Sequence, residues 1–187
     1  MYTGERKTIM ALYSLCLLLL CVVIASRATR NYHVRIKGAE LKQAHGGYYG
    51  EDTDFEINKY NETTDSINAV VRMLKDLPQG TTVDIQSYEL QSNQWQKSTV
   101  HINKTWCEFI TSDPYFMEGI IRQSNYPKTC PIKANTFKIE NFVIDEEKFP
   151  EQIPGEHWRY IFKQFVNNEC ILEFLFDIQI QRTNQLI

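Results

Sequence analysis

Beyond residue 28 the chain has no basic run longer than two residues and no apolar run long enough to cross a bilayer. The first absence removes the cationic stripe that a DNA or RNA partner needs to neutralise phosphates. The second leaves no stable membrane insertion to expect from that part of the chain. Histidine is scarce. The four, at positions 33, 45, 101 and 157, form neither H-x-x-x-H nor H-x-E, and no C-x-x-C occurs, so no zinc site is expected. G-x-S-x-G, the Walker motif and the glycine-rich dinucleotide turn are all missing. Gly46-Gly47-Tyr48-Tyr49-Gly50 has no strand close before it and no helix after it, so it reads as a loop and not as a phosphate cradle. No cofactor is expected.

Cysteine is the next shortage. Five are present, and Cys16 and Cys21 fall in an N-terminal segment that reads as a secretory signal peptide, residues 1–28. Arg6 and Lys7 open it, residues 9–25 are almost wholly apolar, and Ala25-Ser26 and Ala28 supply the small residues of a cleavage site. An uncleaved anchor is the alternative, but 17 apolar residues are at the short limit of a span. Cleavage would leave 17 basic and 22 acidic residues, a net charge of about −5. It would also leave Cys107, Cys130 and Cys170, enough for one intramolecular disulfide in an oxidising compartment. Cys107–Cys130 is the expected pair, worth roughly 3–4 kcal/mol in loop-closure entropy. The other two pairings stay open. Asn61-Glu62-Thr63 and Asn103-Lys104-Thr105 are glycosylation sequons, at Asn61 and Asn103, in keeping with secretion.

What the chain does have is β alternation broken by one apolar-faced segment. Asp113-Pro114 reads as a helix start. Phe116, Met117, Ile120 and Ile121 share one face of about three turns, and Asn125-Tyr126-Pro127 ends them. The expected helix therefore lies between Cys107 and Cys130. Strands are expected over 32–37 ending at Gly38, around Phe55 and Ile57, over 97–102 leading into Trp106-Cys107, and over 136–144. Segments 66–76 and 81–90 are expected to form a hairpin through Leu77-Pro78-Gln79-Gly80. A second hairpin joins 156–166 to 170–180 through Asn167-Asn168. It places Trp158, Tyr160 and Phe162 on one face of its first strand, and Phe174, Phe176 and their neighbours on one face of its second. Seven or eight short strands and one short helix fit a single all-β domain over 29–187. The expected architecture is a two-layer antiparallel immunoglobulin-like β-sandwich.

Two weak chemical patterns remain. Asp145-Glu146-Glu147 reads as a charged turn tip and Cys107 as half of a disulfide, so no enzyme is expected. The rich supply of large apolar side chains has two readings. Either it fills a solid core, making the protein a secreted interaction module that acts on a receptor, or the sheets are splayed around an apolar cavity. In the second reading Phe116, Met117, Ile120, Ile121, Trp158, Phe162, Phe174 and Phe176 are the ligand-binding candidates, and the partner is a small hydrophobic or lipid-like ligand. Each buried methylene contributes roughly 0.8 kcal/mol, so such a ligand needs no catalytic group to bind.

The order Trp95, Trp106-Cys107-Glu108-Phe109, helix, Cys130-Pro131-Ile132, Pro154-Gly155-Glu156, Cys170 resembles insect secreted proteins of the CheA/CheB chemosensory type. The resemblance covers roughly residues 71–180. Those proteins in turn look like the ganglioside-activator and ML lipid-recognition proteins. The resemblance implies secretion, a sandwich with an apolar cavity, lipid-like ligands and a part in contact-pheromone perception. It also supports the pairing of Cys107 with Cys130. Relatives often tie an early cysteine to a late one; residues 32–60 contain none, which leaves Cys170 without that partner.

Overall fold

The structure is a computed structural model, and it describes residues 31–44 and 47–183. The expected signal peptide lies outside the described residues. Eight strands are present among them: β1 (Tyr32–Ala44), β2 (Asp54–Lys59), β3 (Asp65–Met73), β4 (Thr82–Gln91), β5 (Gln94–Thr105), β6 (Asn135–Val143), β7 (His157–Val166) and β8 (Glu169–Arg182). They form two antiparallel sheets, a five-stranded one in the order β1-β8-β7-β4-β5 and a three-stranded one in the order β2-β3-β6. This is the expected all-β, two-layer antiparallel sandwich. No helix among the described residues is long and apolar enough to cross a membrane.

Turn chemistry sets the two tight hairpins. Ser92-Asn93 between β4 and β5 and Asn167-Asn168 between β7 and β8 all have positive φ, between 49° and 66°. That backbone matches the right-handed twist of the flanking strands in a two-residue turn. The second hairpin is the one expected from the sequence. The hairpin expected from 66–76 and 81–90 does not form. β3 pairs with β2 and β6, whereas β4 pairs with β5 and β7. The connection instead steps from one sheet to the other. Leu77 is buried within it and donates its N–H to the Ile132 carbonyl at 2.9 Å. A residue anchored in the core between the layers cannot also sit at the tip of a solvent-facing turn. β1 also outruns the sequence reading. It passes Gly38 with a register shift against β8 and continues to Ala44.

The single expected helix is two α-helices, with a further 3-10 turn at Glu146–Lys148. The first, α1 (Trp106–Ser112), follows directly on β5 and begins ahead of the helix start expected at Asp113-Pro114. A capping box sets the start of α1. Thr105 Oγ1 accepts from the Glu108 N–H at 3.2 Å, and the Glu108 carboxylate accepts from the Thr105 N–H at 3.0 Å. Two of the free amides are thereby satisfied reciprocally. The second helix, α2, is Met117–Arg122. Asp113 does cap it, but from a distance: Pro114 and Tyr115 form a turn, and the carboxylate accepts from the N–H groups of Phe116 and Met117, both at 2.7 Å. The Cys107–Cys130 disulfide ties the first turn of α1 to the loop after α2, and Cys170 is a free, half-buried thiol.

Candidate functional site

The inward side chains fall into two buried clusters. One gathers Trp106, Phe109, Met117 and Phe137 near the helices. The other gathers Tyr32, Val34, Ile36, Ile178 and Ile180 around β1 and β8. Between the layers, bordered by members of both, lies a cavity of about 220 Å3. β3 and β6 contribute Val71, Phe137 and Phe142 to its wall, β7 and β8 contribute Phe162, Leu172, Phe174 and Phe176, and the helical segment contributes Trp106, Phe109, Met117 and Ile120. Ile120 packs against both clusters. An apolar cavity of roughly 150 Å3 is large enough to take benzene.

Rings hold the space open. Phe55 of β2 meets Phe174 of β8 with centroids 4.5 Å apart. Phe116 approaches Phe176 edge-on at 6.2 Å, and Trp106 approaches Phe162 edge-on at 5.8 Å. Flat rigid rings that touch edge to face act as spacers. They cannot bend into the gap as an aliphatic chain would. α2 approaches the wall closely because residue 119 is glycine: a Cβ there would lie 2.7 Å from Phe142 Cε2.

The polar groups of the wall are neutral. The Tyr49 hydroxyl donates to Gln164 Oε1, which links the 47–50 loop to β7 of the five-stranded sheet. Trp106 Nε1 donates to the Tyr126 hydroxyl at 3.0 Å. Burial pushes the Tyr49 phenol well above its ordinary value, and the neighbouring Tyr126 phenol adds to that shift. Burial likewise raises the Tyr126 phenol. It pushes Tyr160 up to about 12, with Tyr115 adding to the effect. All three stay protonated at neutral pH, and none of the wall residues is Asp, Glu, Lys, Arg or His.

Six of the eight candidates from the sequence, Phe116, Met117, Ile120, Phe162, Phe174 and Phe176, border the cavity. Ile121 does not. The late start of α2 leaves only its Met117/Ile120 side toward the space, and Ile121 turns with Ile110 into a surface groove between the helices. Trp158 does not either. It shares a face with Tyr160 but lies roughly 7 Å further along the strand, buried and pinned by its Nε1–H to the Pro154 carbonyl at 3.0 Å. Sequence reasoning missed Tyr49, read as loop, and Tyr126, read as a helix stop. Asn61 and Asn103 are both exposed. Asn61 Oδ1 accepts from the Thr63 N–H at 2.9 Å, and Asn103 lies on β5, an edge strand.

Fold and cavity together define an antiparallel β-sandwich with an apolar space beneath a disulfide-tied helical pair. Residues 81–160 match the model of a family described as a protein of unknown function, DUF1091. The match runs from the foot of β4 through both helices to the middle of β7. No curated protein matches the chain.

Proposed function

We propose that the chain is a secreted, non-enzymatic binding protein for a small hydrophobic or lipid-like ligand held between its sheets. The cavity of about 220 Å3, walled by apolar side chains from both layers, carries this reading. Transfer of apolar surface out of water supplies roughly 25 cal/mol per Å2, and such a wall offers that to any guest of matching size. Secretion is supported by the signal-like segment, by two exposed sequons and by a disulfide of the kind that persists in oxidising compartments. The chemosensory resemblance extends the proposal to contact-pheromone perception, with a membrane receptor as the further partner.

The test is uptake of N-phenyl-1-naphthylamine, a neutral probe that fluoresces in apolar surroundings. The wild-type chain is expected to bind it saturably. Ile120→Trp places an indole in the space between the two clusters and is expected to abolish uptake while the chain stays folded by circular dichroism. A wild-type chain that takes up no probe at any concentration would sink the proposal and favour an interaction module with a solid core.

A further inference from the structure

The charged residues that alternate with the cavity wall face away from it. Arg72 stands between the wall residues Val71 and Met73, and Lys138 between Phe137 and Ile139. Arg159 and Lys163 flank Tyr160 and Phe162, while Glu173 and Asp177 flank Phe174 and Phe176. Alternation along a strand sends each of them to the opposite side of its sheet. There they neutralise one another: Arg159 meets Asp177 at 2.8 Å, Lys163 meets Glu173 at 3.2 Å, and Arg72 meets Asp52 at 3.1 Å. Lys138 borders a surface groove with Glu56 and Glu140. On α2, Glu118 is exposed and pairs with Lys148. To reach the cavity, any of the strand side chains would have to cross its own sheet.

The polar groups on the side chains that border the cavity are four hydroxyls, of Tyr49, Thr53, Tyr126 and Tyr160, and the Trp106 indole N–H. The Tyr49 hydroxyl donates to Gln164, the indole donates to Tyr126, and Thr53 Oγ1 accepts from the Arg72 N–H at 3.2 Å. Burial keeps all three phenols protonated. Groups of this kind offer no opposite charge to an ion. A carboxylate or ammonium drawn into the space loses its hydration and finds no counter-charge, a far larger penalty than a neutral polar group meets. Leaving the ionised head in water at the mouth instead withdraws the adjoining methylenes from the wall. Desolvation therefore favours the neutral form of any acid that enters. We propose that the cavity selects uncharged guests, excludes ions of either sign and takes a fatty acid only in its protonated form. This rests on the proposed apolar-ligand function and specifies its ligand class.

The experiment measures displacement of N-phenyl-1-naphthylamine from the full chain by 1-octanol, octanoate and octyltrimethylammonium at pH 6 and pH 7. Each competitor is compared with itself across pH, so differences in water solubility between them cancel. 1-Octanol does not change charge and reports any effect of pH on the protein itself; its displacement is expected to stay constant. Above an ordinary carboxyl value of about 4.3 the neutral fraction of octanoate falls about tenfold per pH unit. Its apparent Kd, relative to that of 1-octanol, is therefore expected to rise about tenfold from pH 6 to pH 7. Octyltrimethylammonium is expected not to displace the probe at concentrations where 1-octanol does. An octanoate Kd that holds constant between the two pH values, or octyltrimethylammonium competing as well as 1-octanol, would overturn this inference alone. Failure of the wild type to take up the probe would overturn the cavity function and this inference with it.

Discussion

The two ends of the sandwich are built from similar residues and come out differently. Around β1 and β8, Tyr32, Val34, Ile36, Ile178 and Ile180 are 1–5% exposed, and none borders the cavity. There β1 and β8 pair along nearly their whole length. The 145–155 segment folds back over them, with the Tyr32 hydroxyl donating to the Pro150 carbonyl and the Val34 N–H donating to Glu146. Branched aliphatic side chains from adjacent strands interdigitate, and the space closes. Around the cavity the wall side chains are mostly rings and arrive from separate elements: Trp106 from α1, Phe162 from β7, Phe137 from β6. Trp106 meets Phe162 edge-on and Phe137 meets Tyr126 at a tilt, and the space stays open. Hydrophobic residues are necessary for both outcomes. What separates them is whether the side chains can mesh.

The strongest challenge to this contrast is a pair of truncations. Ile180→Ala, at the filled end, should cost about 2–5 kcal/mol in urea unfolding. Ile120→Ala should cost markedly less, since that side chain already borders open space, and equal losses would erase the distinction. Next is the staple. Replacing Cys107 and Cys130 by alanine removes a link across 23 residues and should lower stability by about 3 kcal/mol. The same double variant should also weaken probe uptake, because the helical wall of the cavity is what the bond holds. Retention of full stability and full uptake would show that packing alone fixes the helices.

Gly119→Ala comes third. Its new methyl meets the Phe142 ring, so α2 has to move outward, at about 1–3 kcal/mol. Uptake should change with it, whereas an unaffected unfolding midpoint would mean that this wall is loose. The smallest effect concerns pH at the filled end. Asp65 is held below the usual carboxylate range, first by its hydrogen bonds with Arg35 at 2.7 and 2.8 Å, helped by the Ile36 N–H. A depressed folded value means stabilisation that is complete above the ordinary aspartate value of about 3.9. It fades as pH falls through the lower folded value. Asp65→Asn should therefore flatten the acid limb of the stability profile below about pH 4 and leave probe uptake alone. An unchanged acid limb would assign that limb to other carboxylates.

Much of this was readable along the chain. Alternation gave the strands, Asn167-Asn168 gave a hairpin, and a spacing of three residues between Met117 and Ile120 put both on the wall. One miss was avoidable. Thr105-x-x-Glu108 is a capping-box signature, and it marks the start of α1 that a run of β residues obscured. The others were not. Whether 66–76 and 81–90 pair with each other depends on which other strands compete for them, and no local pattern holds that information. Nor can periodicity show that Tyr49, from a glycine-flanked loop, reaches Gln164, 115 positions away.

The amino-acid order by itself determined which residues face inward, because a two-residue repeat sends alternate side chains to one side of a strand. It also determined that two cysteines, Cys107 and Cys130, lie on either side of a short apolar helical segment. Only the tertiary structure decided which strands share a sheet, that the helix is two, and that the inward faces leave a gap near one end. The reason is geometric. Facing outward or inward is a property of one strand, whereas a filled or hollow interior is a property of how two sheets and a helical pair approach one another.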